Sequence, residues 1–78
     1  MKIGVYSIRD IKSGYLTPTF EVNDQVAYRG FELAKSDSNT VFGFRPVDFE
    51  LFKIAVFDTD TGEFTDIERK CITNEYSN

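Results

Sequence analysis

From Lys2 to Asp10 the apolar residues Ile3, Val5, Tyr6 and Ile8 fall on both parities, as expected of a central strand packed on its two faces. Lys12-Ser13-Gly14 then signals a turn, and Pro18 restricts Tyr15 to Phe20 to an extended arm or an edge segment. Asn23 has the chemistry of an N-cap, with Asp24 in the first turn, where negative charge suits the helix dipole. From Asp24 to Lys35, Val26, Ala27, Gly30, Phe31, Leu33 and Ala34 share an arc of about 160° at helical spacing, so an amphipathic helix is predicted. Gly30 inside that arc suggests a close approach of helix to sheet. Ser36 to Thr40 is a polar stop, and Val41 to Asp48, broken by Gly43 and Pro46, reads as a packed loop.

A second strong strand is predicted from Phe49 to Asp58, with Phe52, Ile54 and Val56 on one parity and Leu51, Ala55 and Phe57 on the other. Asp58 to Gly62 is a compact hairpin turn, and Phe64 to about Ile72 returns as a charged third strand at an edge. Thr73 to Asn78 is read as a frayed tail, with no internal repeat and no linker. The order gives a β-α-β-β α+β domain spanning residues 1–78: one amphipathic helix on a small, mostly antiparallel three-stranded sheet. One helix shields one side of such a sheet. The surplus, drawn from Tyr6, Ile8, Leu51, Phe57, Phe42 and Phe44, is expected to leave an apolar patch for a partner.

Composition sharpens that expectation. The chain has 78 residues, so its core is small and a partner subunit would add to it. Eight Phe and four Tyr make 15% aromatic residues, a heavy load for this length. The lone Cys71 cannot form an internal disulfide, and its burial habit suggests packing near the sheet edge. With one thiol, no apolar leader and no membrane-length apolar run, a cytoplasmic protein is expected. Histidine is absent, which removes the commonest neutral-pH acid/base and metal ligand, so neither an enzyme nor a metal or cofactor is expected.

Three short motifs resemble catalytic or metal loops. Asp58-Thr59-Asp60 after an apolar strand imitates an aspartate-nucleophile phosphatase, but the residues beyond Gly62 cannot build the doubly wound sheet and magnesium site that chemistry needs. Asp60-Thr61-Gly62 spells the aspartic-protease tripeptide, yet polar residues precede it and Glu63 follows where a small residue belongs. As a calcium loop the segment has its glycine one place early and Arg69 at the bidentate position. All three are better read as turn chemistry.

Net charge is −4, which opposes unspecific wrapping of nucleic acid, but it is unevenly spread. Residues 1–46 carry six basic and five acidic side chains; residues 47–78 carry three and eight. Tyr6, Arg9, Lys12, Tyr15, Tyr28 and Arg29 form a basic-aromatic set in the first part. In that part of the chain, Tyr6, Tyr15 or Phe44 could stack on bases while Lys2, Arg9, Lys12, Arg29 and Arg45 meet phosphates.

Val5-Tyr6-Ser7-Ile8-Arg9-Asp10 followed by Lys12-Ser13-Gly14-Tyr15-Leu16-Thr17-Pro18 resembles the opening of the small non-structural protein of gokushoviruses, in the Microviridae branch of single-stranded DNA phages. Asn23-Asp24, Ala27 to Ala34, Pro46-Val47-Asp48-Phe49, Leu51 to Ile54, Phe57-Asp58 and Thr61-Gly62 continue it in order. The resemblance covers most of residues 1–64, with Phe49, Arg45 and Ala55-Val56 as departures. It implies a protein absent from the virion that works in the host bacterial cytoplasm, in genome replication, by binding DNA or favouring single-stranded progeny synthesis. It supplies no catalytic residues. Two readings follow: a single-stranded DNA-binding accessory, or a homodimeric interaction module acting on the phage initiator, the assembly machinery or a host replication factor.

Overall fold

The computed structural model describes residues 1–73. Two long antiparallel strands, β1 (Lys2–Asp10) and β4 (Phe49–Asp58), form its axis and pair along their whole length, from Lys2 opposite Asp58 to Asp10 opposite Phe49. Outside β1 lie β2 (Gly14–Tyr15) and β3 (Thr19–Glu21); outside β4 lie β5 (Phe64–Thr65) and β6 (Lys70–Cys71). The sheet therefore has six antiparallel strands, four strands wide, with each outer lane interrupted.

This corrects the expected three-stranded sheet, while the α+β class holds. The segment around Pro18 is the expected edge segment, an outer lane that pairs with β1 on either side of the proline because the proline disturbs only two positions. The Leu16 amide donates to the Ile8 carbonyl at 2.8 Å and Thr19 faces Tyr6, so Thr17 and Pro18 bulge out together opposite Ser7. The third strand is likewise split. Thr65 faces Val56 and Lys70 faces Lys53, which leaves 66–69 looped out, with Asp66 in the left-handed region at φ 49°.

Helix α1 (Asp24–Ser36) starts where Asn23 Oδ1 accepts the Val26 amide at 2.9 Å, a cap worth about 1 kcal/mol. It buries Ala27 and Phe31 against Tyr6, Phe49, Leu51 and Ile72, with Ile8, Tyr28 and Phe42 packed around them. The buried face is rotated from the predicted arc: Tyr28 and Lys35 turn inward, while Leu33 is 65% exposed. Gly30 is exposed too. A Cβ there would meet nothing within 4 Å, because Gly30 borders an open cleft between α1 and the β2/β3 lane, so no close approach to the sheet explains it.

The expected packed loop is instead α2 (Val41–Phe44) and a 3-10 turn (Pro46–Asp48). Thr40 caps α2 by accepting the Gly43 amide at 3.2 Å, and a side chain at Gly43 would overlap the Asp37 carbonyl. Ile72 is fully buried and Thr73 Oγ1 accepts the Leu51 amide at 2.8 Å, so Thr73 is held against β4 and is not frayed. The rest of the expected tail, residues 74–78, lies outside the described residues. No helix among the described residues is long and apolar enough to cross a membrane.

Candidate functional site

The hairpin between β1 and β2 and the α2 to β4 connection meet at one end of a molecule 39 Å long and 22 Å across. Arg9 faces Tyr15 across β1 and β2. Asp10 closes the hairpin by accepting the Lys12 amide and the Ser13 hydroxyl, both at 2.9 Å. The Ile11 amide donates to the Asp48 carbonyl at 3.0 Å, which ties this turn to the segment carrying Phe44 and Arg45. Five of the eight sequence-predicted site residues, Arg9, Lys12, Tyr15, Phe44 and Arg45, thus share one end. Phe44 is 75% exposed and Lys12 is also exposed.

The charges of this tip are balanced but loosely held. Arg9 pairs with Glu50 at 3.2 Å and Arg45 with Asp48 at 3.8 Å. Partly exposed pairs of this kind contribute about 0–1 kcal/mol and can be exchanged for phosphate contacts.

The other three candidates lie elsewhere. Lys2, opposite Asp58, sits at the far end of β1, about 24 Å from Arg9 at 3.4 Å per residue. Arg29 is on the outer surface of α1, in a different layer from the sheet. Tyr6 offers no ring to a base: it is 1% exposed in the core beneath α1. Its hydroxyl donates to Asp24 Oδ1 at 2.5 Å, and Lys53 reaches the same oxygen at 3.0 Å. This cluster clamps the first turn of α1 to both long strands.

A second surface was missed in its particulars by sequence reasoning. On the sheet face away from α1, Val5, Ser7 and Ala55 floor an open trough of about 1040 Å³ walled by Tyr15, Leu16, Pro18, Phe20, Phe64 and Ile67. Tyr15 meets Phe52 edge-on at 5.4 Å between ring centroids, and Phe20, Phe57 and Phe64 form a second ring cluster. Of the expected surplus, Phe57 is on this face, whereas Tyr6, Ile8, Leu51 and Phe42 pack under the helix. A bulge conceals the pattern. Val5 faces Ala55 but Tyr6 faces Lys53, so Ile54 has no opposite residue and the parity of β4 reverses there.

The carboxylates of the 58–62 turn are engaged locally. Asp58 Oδ1 accepts the Asp60 amide at 2.9 Å, and Asp60 Oδ2 accepts from the Met1 ammonium at 2.6 Å. The Asp60 amide, followed by the neighbouring positive charge of the amino terminus, outweighs desolvation and holds the Asp58 carboxyl below its ordinary value. Cys71 Sγ lies 3.8 Å from Glu50 Oε2 at the outer lane.

Compared with known proteins, residues 3–77 match a family model described as Phage ORF5 protein. No curated protein and no solved structure matches the chain.

Proposed function

Because the chain belongs to the phage ORF5 protein family, we propose that it is a non-catalytic phage accessory protein that binds single-stranded DNA at its basic-aromatic tip. The observation that carries this reading is that Arg9, Lys12 and Arg45 lie at the same end of the sheet as the rings of Tyr15 and Phe44. Rings that accept any base, flanked by cations that meet the backbone, suit sequence-tolerant single-strand binding, with stacking worth about 1–3 kcal/mol per base. The resemblance to gokushovirus non-structural proteins supports a role in replication that favours single-stranded progeny synthesis, in the host bacterial cytoplasm. Neither cofactor nor metal enters this role.

Three phosphate contacts on a single strand give a salt slope near −2, so affinity for a labelled oligonucleotide should fall roughly 20-fold between about 50 and 200 mM salt. Lys12→Ala and Arg45→Ala should each flatten the slope by about 0.7, while Lys2→Ala at the far end leaves it unchanged. No binding at low salt, or a slope indifferent to Lys12 and Arg45, would refute the reading. The alternative, an interaction module acting on the phage initiator, the assembly machinery or a host replication factor, is favoured by the open apolar face.

A further inference from the structure

We infer that the trough on the open sheet face is the self-association surface of this protein, and that its occupant is a second copy of the chain packed face to face with the strand ends opposed. The trough lies on the sheet face away from the helix layer and shares Tyr15 with the tip. Phe20 and Phe64 are each about half exposed on its walls, and Ile67 is 77% exposed. Large apolar side chains gathered around one concavity, rather than scattered, mark an interface.

Three observations select a second copy. The first is size. The molecule measures 39 by 22 Å across its long faces, so one such face is of the scale of the ~800 Å² per partner of a standard interface. The second is chemistry. Ser7 on the floor already donates its hydroxyl to the Leu16 carbonyl at 2.6 Å, so a partner meets a satisfied floor and, among the lining residues, finds charge only at Glu68 and Arg69.

The third is charge. Glu68 and Arg69 line the trough side by side, and neither forms an ion pair with another described residue. A two-fold axis lying in the interface and running across the strands sets the 66–69 segment of one copy against the same segment of the other, read in the opposite direction. Each Glu68 then meets the other copy's Arg69, a self-complementary arrangement that isologous pairing requires.

The experiment is sedimentation equilibrium on the full chain across a concentration series, with far-UV circular dichroism on every variant. The wild type is expected at twice its 9.0 kDa chain mass at tens of micromolar. Ile67→Glu places an unpaired charge in the interface and should weaken association by about 100-fold or more. Leu33→Glu, also exposed but on the helix layer, should leave the mass unchanged. Arg69→Glu should weaken the dimer several-fold, in keeping with a rim ion pair, and the double exchange Glu68→Arg with Arg69→Glu should restore it. A wild type that is monomeric at about 100 µM, weaker than any specific dimer of this size would be, overturns the inference. So does an Ile67→Glu variant that keeps the dimer mass, or a double exchange that fails to recover what Arg69→Glu loses.

Discussion

Tyr6→Phe removes one oxygen from the centre of the fold and leaves the ring in place, so its cost reports what the hydroxyl contributes. The lost bond runs from the Tyr6 hydroxyl to Asp24 Oδ1 at 2.5 Å. Bonds to a charged acceptor are worth about 1.5–3 kcal/mol, against about 1 kcal/mol for a neutral pair. Two features set the value within that range. Tyr6 is fully enclosed, which favours the upper half, but Asp24 is 21% exposed and keeps Lys53 at 3.0 Å, so the stranded carboxylate is not left bare. A loss of about 2 kcal/mol is therefore expected, or roughly 8–16 °C in Tm for a domain of this size. Urea unfolding followed by circular dichroism, at one fixed protein concentration so that association does not enter, measures it. Because the hydroxyl joins β1 to the first turn of α1, the damage should appear as a lower midpoint with an unchanged m value. A Tyr6→Phe variant within about 0.5 kcal/mol of wild type would show that the clamp carries no weight.

Two glycines should respond in opposite directions. Gly30→Ala places its methyl in open space and removes a helix-interior glycine, so stability should rise by about 0.5–1 kcal/mol; Gly43→Ala drives the methyl into the Asp37 carbonyl and should cost about 1–3 kcal/mol. Thermal melts of the two variants check both signs. The pH profile should decline at both extremes. Asp58 is held below its ordinary 3.8, so its contribution is complete above that value and is lost as pH falls through the lower folded value; Asp58→Asn should remove this part of the acid limb. Burial, with the hydrogen bond to Glu32, raises Tyr28 above 10.0, so its contribution is complete below that value and is lost as pH rises through the raised one; Tyr28→Phe should remove it, as melts across the pH series would read.

How much of this was legible in the sequence depends on how locally each feature is determined. The bounds of β1, α1 and β4 follow from periodicity and from Asn23, signals contained within ten or so residues. The tip was legible as a list of residue types, because Lys12 and Arg45 advertise their charge wherever they lie. Their convergence was not, since it depends on the Ile11 amide meeting the Asp48 carbonyl across 37 positions of chain. Tyr6 was misassigned for the opposite reason. Its alternation suits either face of a strand, and only the arrival of Asp24 and Lys53 gives its hydroxyl a partner and makes burial favourable.

The bulge at Ile54 is the deepest of these limits. In an unbroken strand, parity alone separates the two faces, and Leu51 and Ala55 would share one. One unpaired residue sends Leu51 into the core beneath α1 and Ala55 to the floor of the trough, so β4 supplies apolar groups to both surfaces from what reads as a single run. The apolar residues on both parities of Phe49 to Asp58 record in part this change of face partway along. The same displacement turns Ala55 and Phe57, with the Phe64 wall, away from α1 in the second half of β4, on the face where Phe52 already meets Tyr15. Deleting Ile54 should keep every pairing with β1, with Tyr6 opposite Lys53 and Val5 opposite Ala55 as consecutive pairs, so Ala55 and Phe57 should stay on the face away from α1 and the second apolar face should persist in a ladder without the bulge.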